Sequence, residues 1–225
     1  MKYDIIGSSS KGNSIIVEDI LLLDCGVSYA KLKKYLSKIK LIFISHEHSD
    51  HLNKKTIKQI AYNYPTIKFL TASVGVVKTL ALLKINYKNV FIPDWGKKYD
   101  LGALKIKLEP LYHDVDNYAL HWKYKDKKGL YVVDTNRIDH IEAKNYDLYL
   151  IEANYKEDLL DYHLINCTDE NVLYYLNRVP YTHLSWEKAN DFLINNMGDN
   201  SEYQYIHQSN YNFIEEKENE ENGNI

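Results

Sequence analysis

The chain has 225 residues, 45% of them hydrophobic, and a formal net charge of −3. That length supports one domain with a sizeable core, and that charge excludes a generally basic nucleic-acid-binding surface. No apolar run reaches membrane-spanning length, Met1–Gly7 lacks the order of a secretory leader, and Cys25 and Cys167 make no disulfide framework, so the expectation is a cytoplasmic protein in a reducing compartment.

The first part reads as short strands with tight turns. Ile5-Ile6, Ile15–Val17 and Ile20–Leu23 are apolar runs split by turn-forming or charged residues. A polar loop, Ser8-Ser-Ser-Lys-Gly-Asn13, separates the first two. Leu32, Leu36 and Ile39 recur at helical spacing, predicting a helix over 30–39. Leu41–Ile44 is a continuous apolar run, read as a buried strand. Thr56–Tyr62 is read as helical, and Lys68–Leu70 and Val90–Ile92 as strands around a helix, Val74–Leu83. Leu104, Ile106 and Leu108 alternate with charged residues, predicting a half-buried strand that leads to His113. Ala119–Trp122 and Leu130–Val133 flank the turn Lys125–Gly129, a hairpin. Leu148–Ile151 and Tyr203–Ile206 read as strands, Glu170–Leu176 and Trp186–Ile194 as helices. Such interspersion predicts a layered α/β domain with helices packed outside sheets. Its span is taken as 1–213, followed by an acidic, disordered tail over 214–225.

The strongest chemical signal is His46-Glu-His-Ser-Asp-His51. Four metal-capable side chains lie within six residues, on a loop directly after a buried strand. Neutral imidazole and carboxylate suit borderline divalent ions such as zinc or manganese. One ion cannot take all four groups and stay open to substrate, so the expected division is His46 and His48 on one ion, Asp50 and His51 on a second. A solvated polar loop would not need three histidines and an aspartate at this spacing.

His-x-His-x-Asp-His resembles the signature of the metallo-β-lactamase superfamily at every fixed position. The resemblance implies a four-layer αββα sandwich and a metal-dependent hydrolase. It implies further ligands at His113, which follows a strand, and at Asp134, which ends the run Leu130–Val133 and would bridge both ions. Asp24 resembles an early strand-end aspartate that supports the ligands. Two segments, Thr182-His-Leu-Ser and Tyr205-Ile-His-Gln, compete for the last ligand. They resemble the phosphodiesterase branch, ribonuclease Z and single-domain bacterial DNA exonucleases, which implies His207 as ligand and His183 as accessory catalytic histidine. Gly7–Asn13 and Ile151-Glu-Ala-Asn154 resemble exonuclease segments, whereas Tyr155, Thr182 and Gln208 depart from that pattern.

What this implies is hydrolysis by a hydroxide bridging two ions, with Asp50 orienting the nucleophile and His183 acting on the leaving oxygen. Ser9, Ser10, Lys11, Asn13, Asn154 and Ser185 are the candidate substrate contacts. The expected substrate is a nucleic acid or nucleotide phosphodiester, a DNA exonuclease substrate first and a cyclic nucleotide second. A thioesterase or lactonase uses the same fold and motif, and a non-catalytic protein would be expected to have lost a ligand. No membrane partner is expected, and the superfamily allows a homodimer. His121 is read as structural, His140 as solvated, and His163 without assignment.

Overall fold

A computed structural model describes residues 1–209; the tail expected over 214–225 lies outside the described residues. The chain forms two six-stranded mixed sheets. The first sheet is made by β1 (Tyr3–Gly7), β2 (Ser14–Val17), β3 (Leu21–Leu23), β4 (Leu41–Phe43), β5 (Lys68–Leu70) and β6 (Val90–Phe91), ordered as in the chain. Its first three strands pair antiparallel and the rest parallel.

Strands β7 (Lys98–Asp100), β8 (Leu104–Leu111), β9 (Asn117–Tyr124), β10 (Lys127–Val132), β11 (Leu148–Glu152) and β12 (Glu202–Ile206) form the second sheet, also in sequence order. Here β7 to β10 pair antiparallel, while β10, β11 and β12 pair parallel. The helices are α1 (Tyr29–Leu32), α2 (Lys54–Asn63), α3 (Val74–Leu82), α4 (Glu157–Asn166), α5 (Glu170–Thr182) and α6 (Trp186–Asn196).

Period-two side chains explain the layers. Ile15, Leu21, Phe43, Leu108, Leu120 and Tyr131 meet in one core between the sheets. The alternate residues Ile16, Leu22, Ile42 and Phe69 face outward onto Leu32, Ile57, Ile60 and Val76 of α1 to α3. On the second sheet Leu130, Val132, Tyr149 and Ile151 pack on Ala189, Phe192 and Leu193 of α6. Strands β2 to β4 are buried on both faces, which is why they read as unbroken apolar runs. This is the αββα sandwich expected from the resemblance.

Several boundaries differ from the sequence expectation. The helix expected over 30–39 is regular only at Tyr29–Leu32, but successive turns still bury Leu36 and Ile39. Helix α5 runs six residues past Leu176 because Pro180 falls in its last turn, where a missing N–H costs one bond. The hairpin turn tightens to Lys125-Asp126, with Lys125 at φ 53°. Strand β7 and helix α4 were not expected.

Candidate two-metal site

The residues of interest gather beyond the C-terminal ends of β3, β4, β8, β10 and β12. Asp24, Asp134 and His207 follow β3, β10 and β12 with φ of 55°, 49° and 52°. Non-glycine residues in this left-handed region are uncommon and cost of order 1–3 kcal/mol each. The His46–His51 loop is tied down through its backbone. The Cys25 amide donates to His51 O at 2.8 Å, and that of Asn13 to Asp50 O at 2.7 Å. Gly26 makes this approach possible, because a Cβ there would sit 1.6 Å from Asp50 O.

Two groups of donor atoms share Asp134. His46, His48, His113 and Asp134 form one; Asp50, His51, Asp134 and His207 form the other; in each, the donor atoms lie within 4.8 Å of one another. Asp134 Oδ2 is 3.3 Å from His46 Nε2 and 2.9 Å from His51 Nε2. His48 Nδ1 is 3.3 Å from His113 Nε2, and His207 Nε2 is 3.4 Å from Asp50 Oδ2. A third group, Asp134, Glu152, His183 and His207, is also compact. Its Glu152 already accepts from Thr135 N and Leu184 N through Oε2, with Oε1 on the two histidines. The first two groups are therefore the ones whose chemistry fits a pair of divalent ions. A buried His46 Nε2 with no hydrogen-bond partner of its own supports that fit.

Supporting partners orient these rings. Asp24 is fully buried and lies 2.6 Å from His51 Nδ1, while it accepts from Ser45 N, Ser45 Oγ and Tyr131 OH at 2.7–2.9 Å. A carboxylate behind the ring fixes the tautomer and leaves Nε2 for a metal. For His113 the Thr182 carbonyl does this, at 3.1 Å from Nδ1. Asn13 Nδ2 donates to Asp50 Oδ2 at 3.1 Å, so Asn13 aims a carboxylate.

Electrostatics show an excess of negative charge. Burial pushes His46 well below the usual imidazole range. Burial acts the same way on His51 and His207, but Asp134 with Asp24, and Asp134 with Asp50 and Glu152, outweigh it and hold both rings well above that range. Burial likewise opposes the protonated form of His183, yet Glu152 and Asp134 raise it to about 9. Asp134 is held well below the carboxylate range despite its burial, chiefly by His207 and His51. In the metal-free chain protons neutralise these carboxylates, the position that bound cations take over.

His183 is not in either ion group. Its Nδ1 lies 2.7 Å from Glu152 Oε1 and 3.2 Å from Asp134 Oδ1, and it lines a cavity of about 350 Å³ beside His48, Asp50 and His207. Ser9, Ser10 and Asn154 line the same cavity. Lys11 is exposed and Ser185 buried, both outside it. Ser185 Oγ accepts from Lys188 N at the start of α6 and donates to Glu157, so here it caps a helix. Asn13 also stands behind the site rather than in the cavity.

Glu152, inside the segment Ile151–Asn154, was not expected at the site, and neither were Tyr131, Asp114 or Arg178. His121 is buried against Glu109 Oε2 at 2.9 Å and Tyr146, a structural position. His140 was expected to be solvated; its Nε2 donates to Pro110 O at 2.8 Å.

Residues 20–187 match the β-lactamase superfamily domain. The chain is 29% identical over 173 residues to the exodeoxyribonuclease WalJ of Streptococcus pneumoniae serotype 2 (strain D39), an alignment spanning 71% of this chain but only 64% of that protein. In fold it is similar to the metallo-β-lactamase fold protein YhfI of Bacillus subtilis, with TM-score 0.68 and 17% identity over 92% of this chain and 86% of the other. The short form of human tRNase Z superimposes with TM-score 0.64 at 16% identity, over 93% of each chain. Its matched domain and its paired, metal-capable His/Asp groups show that the chain belongs to the metallo-β-lactamase superfamily.

Proposed function

We propose that the chain is a two-metal phosphodiesterase that degrades nucleic acid, a DNA exonuclease in the first instance. The observation that carries this is His183. Its Nδ1 is held by Glu152 Oε1 at 2.7 Å and it lines the cavity beside the metal-capable groups, so its other ring nitrogen can carry a proton to a substrate oxygen. A phosphodiester leaves as an alkoxide, which needs that proton. Likeness to an exodeoxyribonuclease favours DNA.

In this reading His46, His48, His113 and Asp134 would hold one ion, and Asp50, His51, Asp134 and His207 would hold the other. Three imidazoles with one carboxylate suit zinc or manganese. Two divalent ions here would supply Lewis acidity and a water of lowered pKa. The chain's own residues do the rest. Asp50, held by Asn13, orients the attacking water. Glu152 anchors His183 Nδ1, so His183 Nε2 carries the proton that the leaving oxygen receives. Ser9, Ser10 and Asn154 hold the flanking substrate. The catalytic domain acts in the cytoplasm.

A cyclic-nucleotide phosphodiesterase is the second reading, favoured by a cavity of nucleotide size. The test is an activity screen of protein loaded separately with zinc and manganese. It covers end-labelled single- and double-stranded DNA, RNA, cyclic mononucleotides and a thioester, with His48→Ala as control. Metal-dependent loss of end label, absent in the control, is expected. Turnover of cyclic nucleotides alone would select the second reading, and turnover of the thioester alone would reject both.

A further inference from the structure

Of the 28 basic residues only two are arginine, Arg137 and Arg178. In a chain this biased to lysine, an arginine marks a place where a planar fork is needed rather than a point charge. Arg137 has a structural use. It pairs through two nitrogens with Asp139 and stacks 4.5 Å over Tyr112. Arg178 has no such commitment. It projects from α5, is about half exposed, and lies 5.8 Å from the Tyr174 ring. Its Nη2 makes one long ion pair, 3.4 Å to Asp114 Oδ2.

Arg178 lines the cavity that holds His48, Asp50 and His183, and among the described residues it is the one lysine or arginine that does so. The carboxylates of Asp50, Asp114 and Asp134 surround the same space. Asp114 is also the link to the metal-capable groups, since its Oδ1 is 3.1 Å from His113 Nε2 and 3.5 Å from His48 Nε2. An anionic oxygen therefore already sits on Arg178 at the edge of the site, contributed by the protein itself.

We propose that Arg178 forms a second anion subsite, which binds a phosphate of the substrate next to the scissile one, with Asp114 occupying that place until substrate arrives. The proposal rests on the phosphodiesterase reading for the first phosphate and deepens it, because it requires a substrate that carries two phosphates one nucleoside apart. A guanidinium with one long contact keeps most of its five N–H donors for a bidentate grip on phosphate. Exchange of Asp114 for phosphate keeps the arginine paired throughout, and both side chains are exposed enough for the freed carboxylate to be solvated.

The test is binding without turnover. Metal-loaded protein is titrated by calorimetry with thymidine 3′,5′-bisphosphate, thymidine 5′-monophosphate and thymidine 3′-monophosphate. The bisphosphate is expected to bind at least about tenfold more tightly than either monophosphate, as one charge-assisted pair allows. Arg178→Ala should reduce that preference to within about threefold, and Arg178→Lys should keep part of it because a point charge lacks the fork. Thermal unfolding midpoints of both variants check that the fold stands. No preference in the parent protein, or an equal loss for all three ligands in Arg178→Ala, overturns the subsite. Because no bond is cleaved in this assay, failure of the nuclease screen and failure of the subsite are read separately.

Discussion

Glu152→Gln tests the acid role of His183 most directly. Glu152 is fully buried, and its Oε1 lies 2.7 Å from His183 Nδ1. The glutamine oxygen can still accept a hydrogen bond, but the charge is gone. Burial opposes protonation of His183, and Glu152 is the first of the groups that overcome it to bring the ring to about 9. Without that carboxylate the ring falls back toward its ordinary value near ~6.5. Above its pKa the ring loses about tenfold of its protonated form for each unit the pKa falls, so turnover limited by this proton falls by about that factor on the alkaline side. Toward pH 6 the difference between the two proteins should narrow. The assay is kcat against pH from 6 to 9.5 on a phosphodiester, with metal content measured at each end. The alkaline limb should move to lower pH in the variant. A loss that is uniform across pH, with metal content intact, would refute the argument and leave Glu152 as a structural support only.

Gly26→Ala should cost at least tenfold in metal affinity, because a Cβ 1.6 Å from Asp50 O forces the His46–His51 loop to move; full metal content by elemental analysis would contradict this. Ser185→Ala should destabilise by about 1 kcal/mol through loss of the α6 cap and leave KM unchanged; a raised KM in steady-state assays would return Ser185 to the substrate side. The metal-free protein should lose stability as pH rises. A histidine whose folded value, about 9, exceeds the unfolded ~6.5 contributes fully below pH ~6.5 and loses that contribution as pH passes 9. The loss attributable to His183 is roughly 3 kcal/mol at most, and urea unfolding of chelated protein at pH 6 and 9.5 measures it as the part of the dependence that His183→Ala removes, His51 and His207 keeping the rest.

Much of this site is legible in one dimension because metal ligands must be particular residue types. His46, His48, Asp50 and His51 stand in six consecutive residues, and no packing rule asks for such a run. Asp134 and His207 were expected as ligands from the resemblance alone, since standing just past a strand does not by itself mark a ligand. Strands β2 to β4 were legible because both of their faces are buried. Strand β7 was not, since its residues Lys98-Tyr-Asp100 are polar and owe their conformation to pairing with β8. Helix α4 was hidden because only Leu159 and Leu160 of it are buried, too few for a period. Glu152 looked like one more strand residue, because what makes it functional is contact with residues 31 and 55 positions away. Arg178 and Asp114 meet across 64 positions, which no local pattern encodes.

Left-handed backbone at Asp24, Asp134 and His207 links the fold to the chemistry. An extended residue sends its side chain to one face of the sheet, into a core. Turning the backbone over at the strand end instead lets the three side chains converge between the two sheets, where Asp24 meets His51 and Asp134 meets His51 and His207. Three such residues cost of order 1–3 kcal/mol each. Burial of side chains such as Leu22, Leu23, Phe43 and Val132 offsets this, at about 1.5–3 kcal/mol for each one fully buried. Because the strain and the burial sit on the same strands, the site cannot relax without unpacking the sheets. Rigidity of this kind is what holds carboxylates close enough together to raise His51, His183 and His207, so that protons balance the carboxylates in the metal-free chain and divalent ions must displace them on binding.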